Sequence, residues 1–300
     1  MSDKIGVFDS GIGGLTVLHA CTEVVDGEFY YYGDNGNAPY GTRSEEEIYA
    51  LTRRVFDVFF KLKVDAAVVA CNTATAVCIE RLRTEYPFPV VGTEPAISLA
   101  AKHCASCLLL ATEATLKSER LARLLRKFPH FSVRAFAPKG LVNEIERNIF
   151  SLEKIDLSFA KTEEGEGIVL GCTHFVYLRP FFQGKVFDGN EGIALHLLSV
   201  LGNAGKGDHP QGLQGSAGKG DHPQGLQGNT GKGDHPQGLQ GNTGKSIFFE
   251  REGQGKSIFS AKNAKKNICF CKNTQKCPKI VYLGPSAGRN KTIYEQMFLL

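Results

Sequence analysis

"VVACNTAT", residues 68–75, and "IVLGCTHF", residues 168–175, follow one plan: an apolar run, a cysteine, small hydroxyl or amide side chains, then a helical pattern. An uninterrupted apolar run of this length fits a strand buried on both faces, as strands are in parallel sheets. Outward from these two sites, residues 4 to about 201 alternate short apolar stretches with longer amphipathic ones. "KIGVFD" (4–9), "EFYYYGD" (28–34), "DAAVVA" (65–70), "FPVVGT" (88–93), "CLLLAT" (107–112), "SVRAFA" (132–137), "GIVLG" (167–171) and "KVFDG" (185–189) read as strands. Between them "SEEEIYALTRRVFDVFFKLK" opens on Ser44 with Glu47 three residues on, the pattern of a capping box. "TEPAISLAAKH" places Pro95 in what reads as a first helical turn. Strands alternating with helices at this spacing predict an α/β fold with largely parallel sheets flanked by helices. Ligands of such sheets bind beyond the carboxyl ends of the strands, where Cys71 and Cys172 fall. The near-repeat of strand, Cys and helix, 101 residues apart, predicts two similar domains related by a pseudo-twofold, with the active site in the cleft between them.

Bulk properties narrow the function classes. The formal charge is +4, but residues 202–279 hold 12 Lys and Arg against 5 Asp and Glu, so the remaining chain is net acidic and no nucleic-acid partner is expected. Nine cysteines, an odd number sitting largely in apolar runs, fit reduced thiols of the cytoplasm better than a secreted disulfide framework. The start of the chain has no signal-peptide pattern, and no run approaches the roughly 18 apolar residues of a membrane span.

Residue 202 marks a change. "GNAGKGDHPQGLQ", "GSAGKGDHPQGLQ" and "GNTGKGDHPQGLQ" repeat with a period of 13 and begin a fourth time as "GNTGKS". One apolar residue per repeat cannot offset the entropy of ordering so Gly-rich a backbone, so 202–245 reads as a disordered insertion. Residues 246–279 are Lys-rich, with no firm structural reading. "KIVYLGPSAG" (279–288) reads as a further strand and turn, followed by a short helix to the end.

The chemistry rests on the two cysteines. A free thiol, with a pKa near 8.5, is only slightly ionised at neutral pH. Unpaired N–H groups and the dipole at a helix start favour the thiolate, and both cysteines stand where a helix is predicted to begin. Asn72, Thr73 and Thr173 can donate to a ligand or a sulfur, and His174 can serve Cys172 as a charge partner. Two thiols facing one pocket suit proton transfer at a carbon acid: one removes a proton while the other delivers one to the opposite face, with no metal or other cofactor. A single Cys ending an apolar strand is more often a small core residue, and Cys21, Cys78, Cys104 and Cys107 keep that reading. Cys269, Cys271 and Cys277 lack a clear fourth ligand for zinc, so no metal site is expected. "VFDSGIGGLT" has a rival reading as a dinucleotide-binding turn, with Asp34 placed to hold a ribose. Against it stand Thr16 at the third fingerprint position and the anionic Asp9 just before the turn. Asp9 suits a substrate ammonium better, and Ser10 a carboxylate.

"GVFDSGIGGLTV", "PYGTRSEEEI" (39–48), "ACNTAT" (70–75) and "LGCTH" (170–174), in this order, resemble glutamate racemase, of the cofactor-independent aspartate/glutamate racemase superfamily. "VVGTEPAI" and "LLATEATLKSERLARLL" are also similar to it. The resemblance covers residues 4 to 201 and implies interconversion of L- and D-glutamate by 1,1-proton transfer at Cα. The product would supply peptidoglycan synthesis in the cytoplasm, and the family forms homodimers. It implies Cys71 and Cys172 as paired acid/base thiols, the first serving D-glutamate and the second L-glutamate. Asp9, Ser10, Tyr40, Gly41, Asn72, Thr73, Thr173 and His174 would line the substrate site, with Asp9 and His174 tuning the thiols or placing the amino group. Thr112 and Thr115 would be secondary contacts to the substrate carboxylates. An acidic helper is expected in "APKGLVNEIERN", at Glu144 or Glu146, with Glu146 preferred. The chain departs from the family where the repeats delay its return to the first domain; a long surface loop costs little extra closure entropy if that return strand docks. The expected domains are 1–97 with about 280–300, and 98–201. An aspartate racemase of the superfamily and a binding protein inactivated by the insertion are the alternatives.

Overall fold

A computed structural model describes residues 2–204 and 278–299. The repeats, the basic segment and Cys269, Cys271 and Cys277 lie outside the described residues. Every strand of the described chain pairs in parallel, in two sheets.

The first sheet is built from β1 (Asp3–Asp9), β2 (Gly27–Gly33), β3 (Ala66–Val69) and β4 (Val90–Gly92), connected through α1 (Gly14–Thr22), α2 (Glu45–Leu62) and α3 (Asn72–Glu85). β3 is apolar and buried along its whole length, and β1 is buried from Ile5 to Asp9, as strands covered on both faces are. The capping box forms: Ser44 Oγ accepts from the Glu47 N–H at 3.3 Å, and Glu47 accepts from the Ser44 N–H at 3.0 Å. Gly6 of β1 lies under the Phe59 ring of α2, where an added Cβ would come within 2.6 Å of the ring.

The chain then runs through α4 (Ile97–His103), β5 (Ser106–Leu110), α5 (Glu113–Lys117), α6 (Glu119–Leu125), β6 (Ser132–Phe136), α7 (Leu141–Arg147), β7 (Glu166–Leu170), β8 (Val186–Asp188) and α8 (Asn190–Ala204). These strands form the second sheet, in the order β6-β5-β7-β8. After the undescribed segment, β9 (Lys279–Leu283) adds to β2 and completes a first sheet of order β4-β3-β1-β2-β9; α9 (Ala287–Tyr294) follows. The return strand therefore docks.

Two local expectations are corrected. α4 begins at Ile97 with Ala96 as its N-cap, so Pro95 lies just outside the helix instead of in its first turn. The segment after Cys172 is a 3₁₀ helix, Thr173–Phe181, and not an α-helix. Pro180 removes a hydrogen-bond donor and crowds the preceding turn, and the Thr, Phe, Val and Tyr residues of this stretch are weak α-formers.

One buried cluster runs through both sheets: Ile5, Val7, Leu15 and Leu18 from the first unite with Leu108, Ile168, Leu170 and Phe175 from the second. This shared core fixes the carboxyl ends of β1, β3 and β7 relative to one another. No helix among the described residues is long and apolar enough to cross a membrane.

Candidate active site

β1 ends on Asp9, wholly buried. Its Oδ2 accepts from the Gly11 N–H at 2.9 Å, and its Oδ1 accepts from Thr173 Oγ1 of the second sheet at 3.2 Å. Burial raises the Asp9 pKa, against the pull of charged His174 and of these donors.

Cys71 caps α3, its sulfur accepting from the Ala74 N–H at 3.4 Å. Its thiol donates to Ser10 Oγ at 3.3 Å. The helix start does not make this thiol acidic, contrary to the sequence expectation. Burial and the neighbouring Asp9 carboxylate push its pKa up to about 12, outweighing the Ser10 and Ala74 hydrogen bonds.

Cys172 ends the β7 segment and has His174 Nδ1 at 4.0 Å from its sulfur. His174 Nε2 pairs with Glu146 Oε1 at 2.9 Å, and the same oxygen accepts from the Ile12 N–H at 2.8 Å. Burial opposes charge on His174, but its partners Cys172, Glu146 and Asp9 raise its pKa to about 10. Burial alone would raise Glu146; His174, the Ile12 N–H and Arg289 instead hold it down at about 2. Glu146 is thus the acidic group brought to the site, whereas Glu144 is exposed on α7.

The remaining expected residues divide. Thr73 Oγ1 lies 2.9 Å from Thr112 Oγ1, which donates to Thr115 Oγ1 at 3.0 Å, so a row of hydroxyls joins α3 to α5. An added Cβ on Gly41 would lie 3.1 Å from the Thr112 Cβ, which places Gly41 against the same row. Asn72 and Thr115 line one narrow cleft with Thr93 and Arg120. Tyr40 is buried, but its hydroxyl donates to Asp34 Oδ2 at 2.7 Å. Asp34, also held by Asn37, is committed to this loop.

The glycine-rich loop is filled by protein. A Cβ on Gly11 would collide with Glu146 and stand 2.8 Å from His174 Nε2; one on Gly13 would stand 2.6 Å from the His174 backbone N. The approach a pyrophosphate would need is occupied, which removes the dinucleotide reading. Gly13→Ala should therefore cost about 1–3 kcal/mol by overpacking against backbone that cannot yield. Gly36→Ala, where a Cβ meets nothing within 4 Å, is the matched control, with thermal unfolding as the measurement.

Sequence reading missed the groups that hold this loop. Tyr31 OH donates to the Gly11 carbonyl at 2.9 Å, Tyr177 OH donates to the Ile12 carbonyl at 2.8 Å, and Arg289 of α9 binds Glu146. Tyr177 follows His174 by three residues on a predicted helix, a usable signal; Arg289 offers none, lying 143 residues from its partner.

The Asp/Glu/Hydantoin racemase family model matches residues 5–194. A glutamate racemase of Halothermothrix orenii is 36% identical over 219 residues, covering 67% of this chain and 86% of that relative. Glutamate racemase 2 of Bacillus subtilis is 37% identical over 217 residues, covering 66% and 82%. Among solved structures, Escherichia coli glutamate racemase in complex with L-glutamate and the activator UDP-MurNAc-ala superposes with a TM-score of 0.60 at 30% identity, covering 67% of this chain and 83% of that one. Glutamate racemase of Francisella tularensis in complex with D-glutamate gives 0.58 at 25% identity, covering 70% and 85%.

Proposed function

The chain belongs to the Asp/Glu/Hydantoin racemase family of isomerases, and we propose that it interconverts L- and D-glutamate by proton transfer between two thiols and the substrate Cα. The observation that supports this reading is the placement of two buried cysteines just beyond the carboxyl ends of β3 and β7, each with its own polar partners. Cys71 works beside Ser10 and Asp9, and Cys172 beside the His174–Glu146 pair. Protons enter and leave at sulfur, so the step asks for no cofactor.

In the free protein, burial and Asp9 keep Cys71 as a thiol. A substrate ammonium placed against Asp9 would cancel the carboxylate's repulsion and let the sulfur ionise when a carbon acid is present to be deprotonated. On the opposite face, charged His174 supports the Cys172 thiolate in the other direction of reaction. Ser10, Asn72, Thr73, Thr173 and the Thr112–Thr115 hydroxyls, with Tyr40 and Gly41 behind them, supply donors for the two substrate carboxylates. We assign the product to peptidoglycan synthesis in the cytoplasm, the role the family resemblance implies. Purified protein should erase the circular dichroism of L-glutamate and of D-glutamate alike; signal lost from aspartate but not from glutamate would overturn the substrate assignment.

The His174–Glu146 pair also predicts an acid limit. Glu146 is held at about 2 against an ordinary 4.5, so its stabilisation is full above pH 4.5 and is lost as pH falls through about 2. The shift corresponds to about 3 kcal/mol. Urea unfolding between pH 5 and pH 2 should show this loss in the wild type and not in Glu146→Gln.

A further inference from the structure

Glu146 is gripped from the far end of the chain. Arg289, on α9 beyond the undescribed segment, donates through one guanidinium nitrogen to Glu146 Oε2 at 2.9 Å and through the other to the Glu146 backbone carbonyl at 2.5 Å. A planar fork that holds both the carboxylate and the main chain of one residue fixes its position and its rotamer together, as a lysine could not. Asn35 Nδ2 adds a longer contact to Oε2 at 3.4 Å. Oε1 is thereby left for its two other donors, the Ile12 N–H and His174 Nε2. The sequence of contacts runs from Arg289 to Glu146, to His174 and to the Cys172 sulfur.

We propose that Arg289 is a positioning residue for the second thiol: it locks Glu146 as the counter-charge that orients and charges His174 beside Cys172. This rests on the racemase reading for its effect on rate, but its effect on His174 needs no substrate. It also gives α9 a part in the active site. A group 143 residues from Glu146 completes the acid/base assembly only when β9 and α9 have returned to the first sheet.

The test is Arg289→Ala. With Glu146 free to swing, the rate constant kcat should fall about tenfold for both enantiomers, a part of the 10²–10⁴-fold that a general acid or base supplies, while KM changes little. The imidazole of His174, followed by NMR, should titrate at lower pH than in the wild type, because its counter-charge is no longer fixed. Millimolar guanidinium should restore much of the lost rate by refilling the site. Wild-type kcat with an unmoved His174 titration would overturn the proposal. So would a rate loss that leaves that titration unmoved and resists guanidinium, since this is what a purely structural role of α9 predicts. Should Arg289→Ala fail to fold, Arg289→Gln carries the kcat and His174 titration readouts, and wild-type values of both would overturn the proposal. A wild-type protein inactive on glutamate would count against the racemase reading alone, and the His174 titration would still judge Arg289.

Discussion

Cys71→Ser and Cys172→Ser should each abolish racemisation in both directions, with a loss of at least about 10³-fold in kcat/KM. A serine hydroxyl ionises far less readily than a thiol, so it can neither take the Cα proton nor return one at a useful rate. In each direction one sulfur acts as base and the other as acid, so either substitution stops both reactions. A one-base mechanism would leave one of the two variants active. Structure should survive: serine is close in size to cysteine, and Ser10 at 3.3 Å from the Cys71 sulfur offers a partner to a hydroxyl there. Thermal unfolding within a few degrees of wild type, beside a dead enzyme, is the expected pair of results. Cys104→Ala, which removes a partly exposed thiol outside the site, should keep full activity.

Glu146→Gln should lower kcat by about 10²-fold while Glu144→Gln changes nothing. The Glu146 carboxylate accepts from the Ile12 N–H, His174 Nε2 and the Arg289 guanidinium, so all of its main partners are donors. A carboxamide must turn its own NH₂ against one of them, and it carries no charge to balance a buried imidazolium. His174, held near pKa 10 in part by Glu146, should then lose its proton at lower pH, leaving Cys172 without its charge partner. In kinetic terms the basic limb of the kcat profile should move to lower pH. A Glu146→Gln enzyme with the wild-type profile would show that His174 does not depend on this carboxylate.

Much of this site could be read from the sequence because its parts are local. Strands buried on both faces leave uninterrupted apolar runs, and "VVA" and "IVLG" announce β3 and β7 together with the cysteine that follows each. Ser44 and Glu47 form their capping box within a single turn, which makes the start of α2 legible. What could not be read is set by distant parts of the chain. The choice between Glu144 and Glu146 depends on which side of α7 meets the Gly11–Gly13 loop, and that loop lies more than a hundred residues away. A helix start predicts an acidic Cys71, but burial, together with Asp9 placed beside it by the pairing of β1 with β3, overrides the local effect. The 3₁₀ turn after Cys172 reflects Pro180 acting on a stretch whose apolar spacing otherwise suits an α-helix. Arg289 reaches Glu146 only because β9 docks on β2 after the repeats.

The most direct test of the two-thiol reading is isotopic. L-glutamate and D-glutamate are each incubated with the wild-type protein in D₂O, and the reaction is stopped early. Two thiols on opposite faces predict that newly formed product of the opposite hand carries solvent deuterium at Cα while remaining substrate keeps its proton, in both directions. Deuterium appearing in substrate and product at the same rate would instead indicate a single base serving both faces, and would contradict the assignment of Cys71 and Cys172 as a pair.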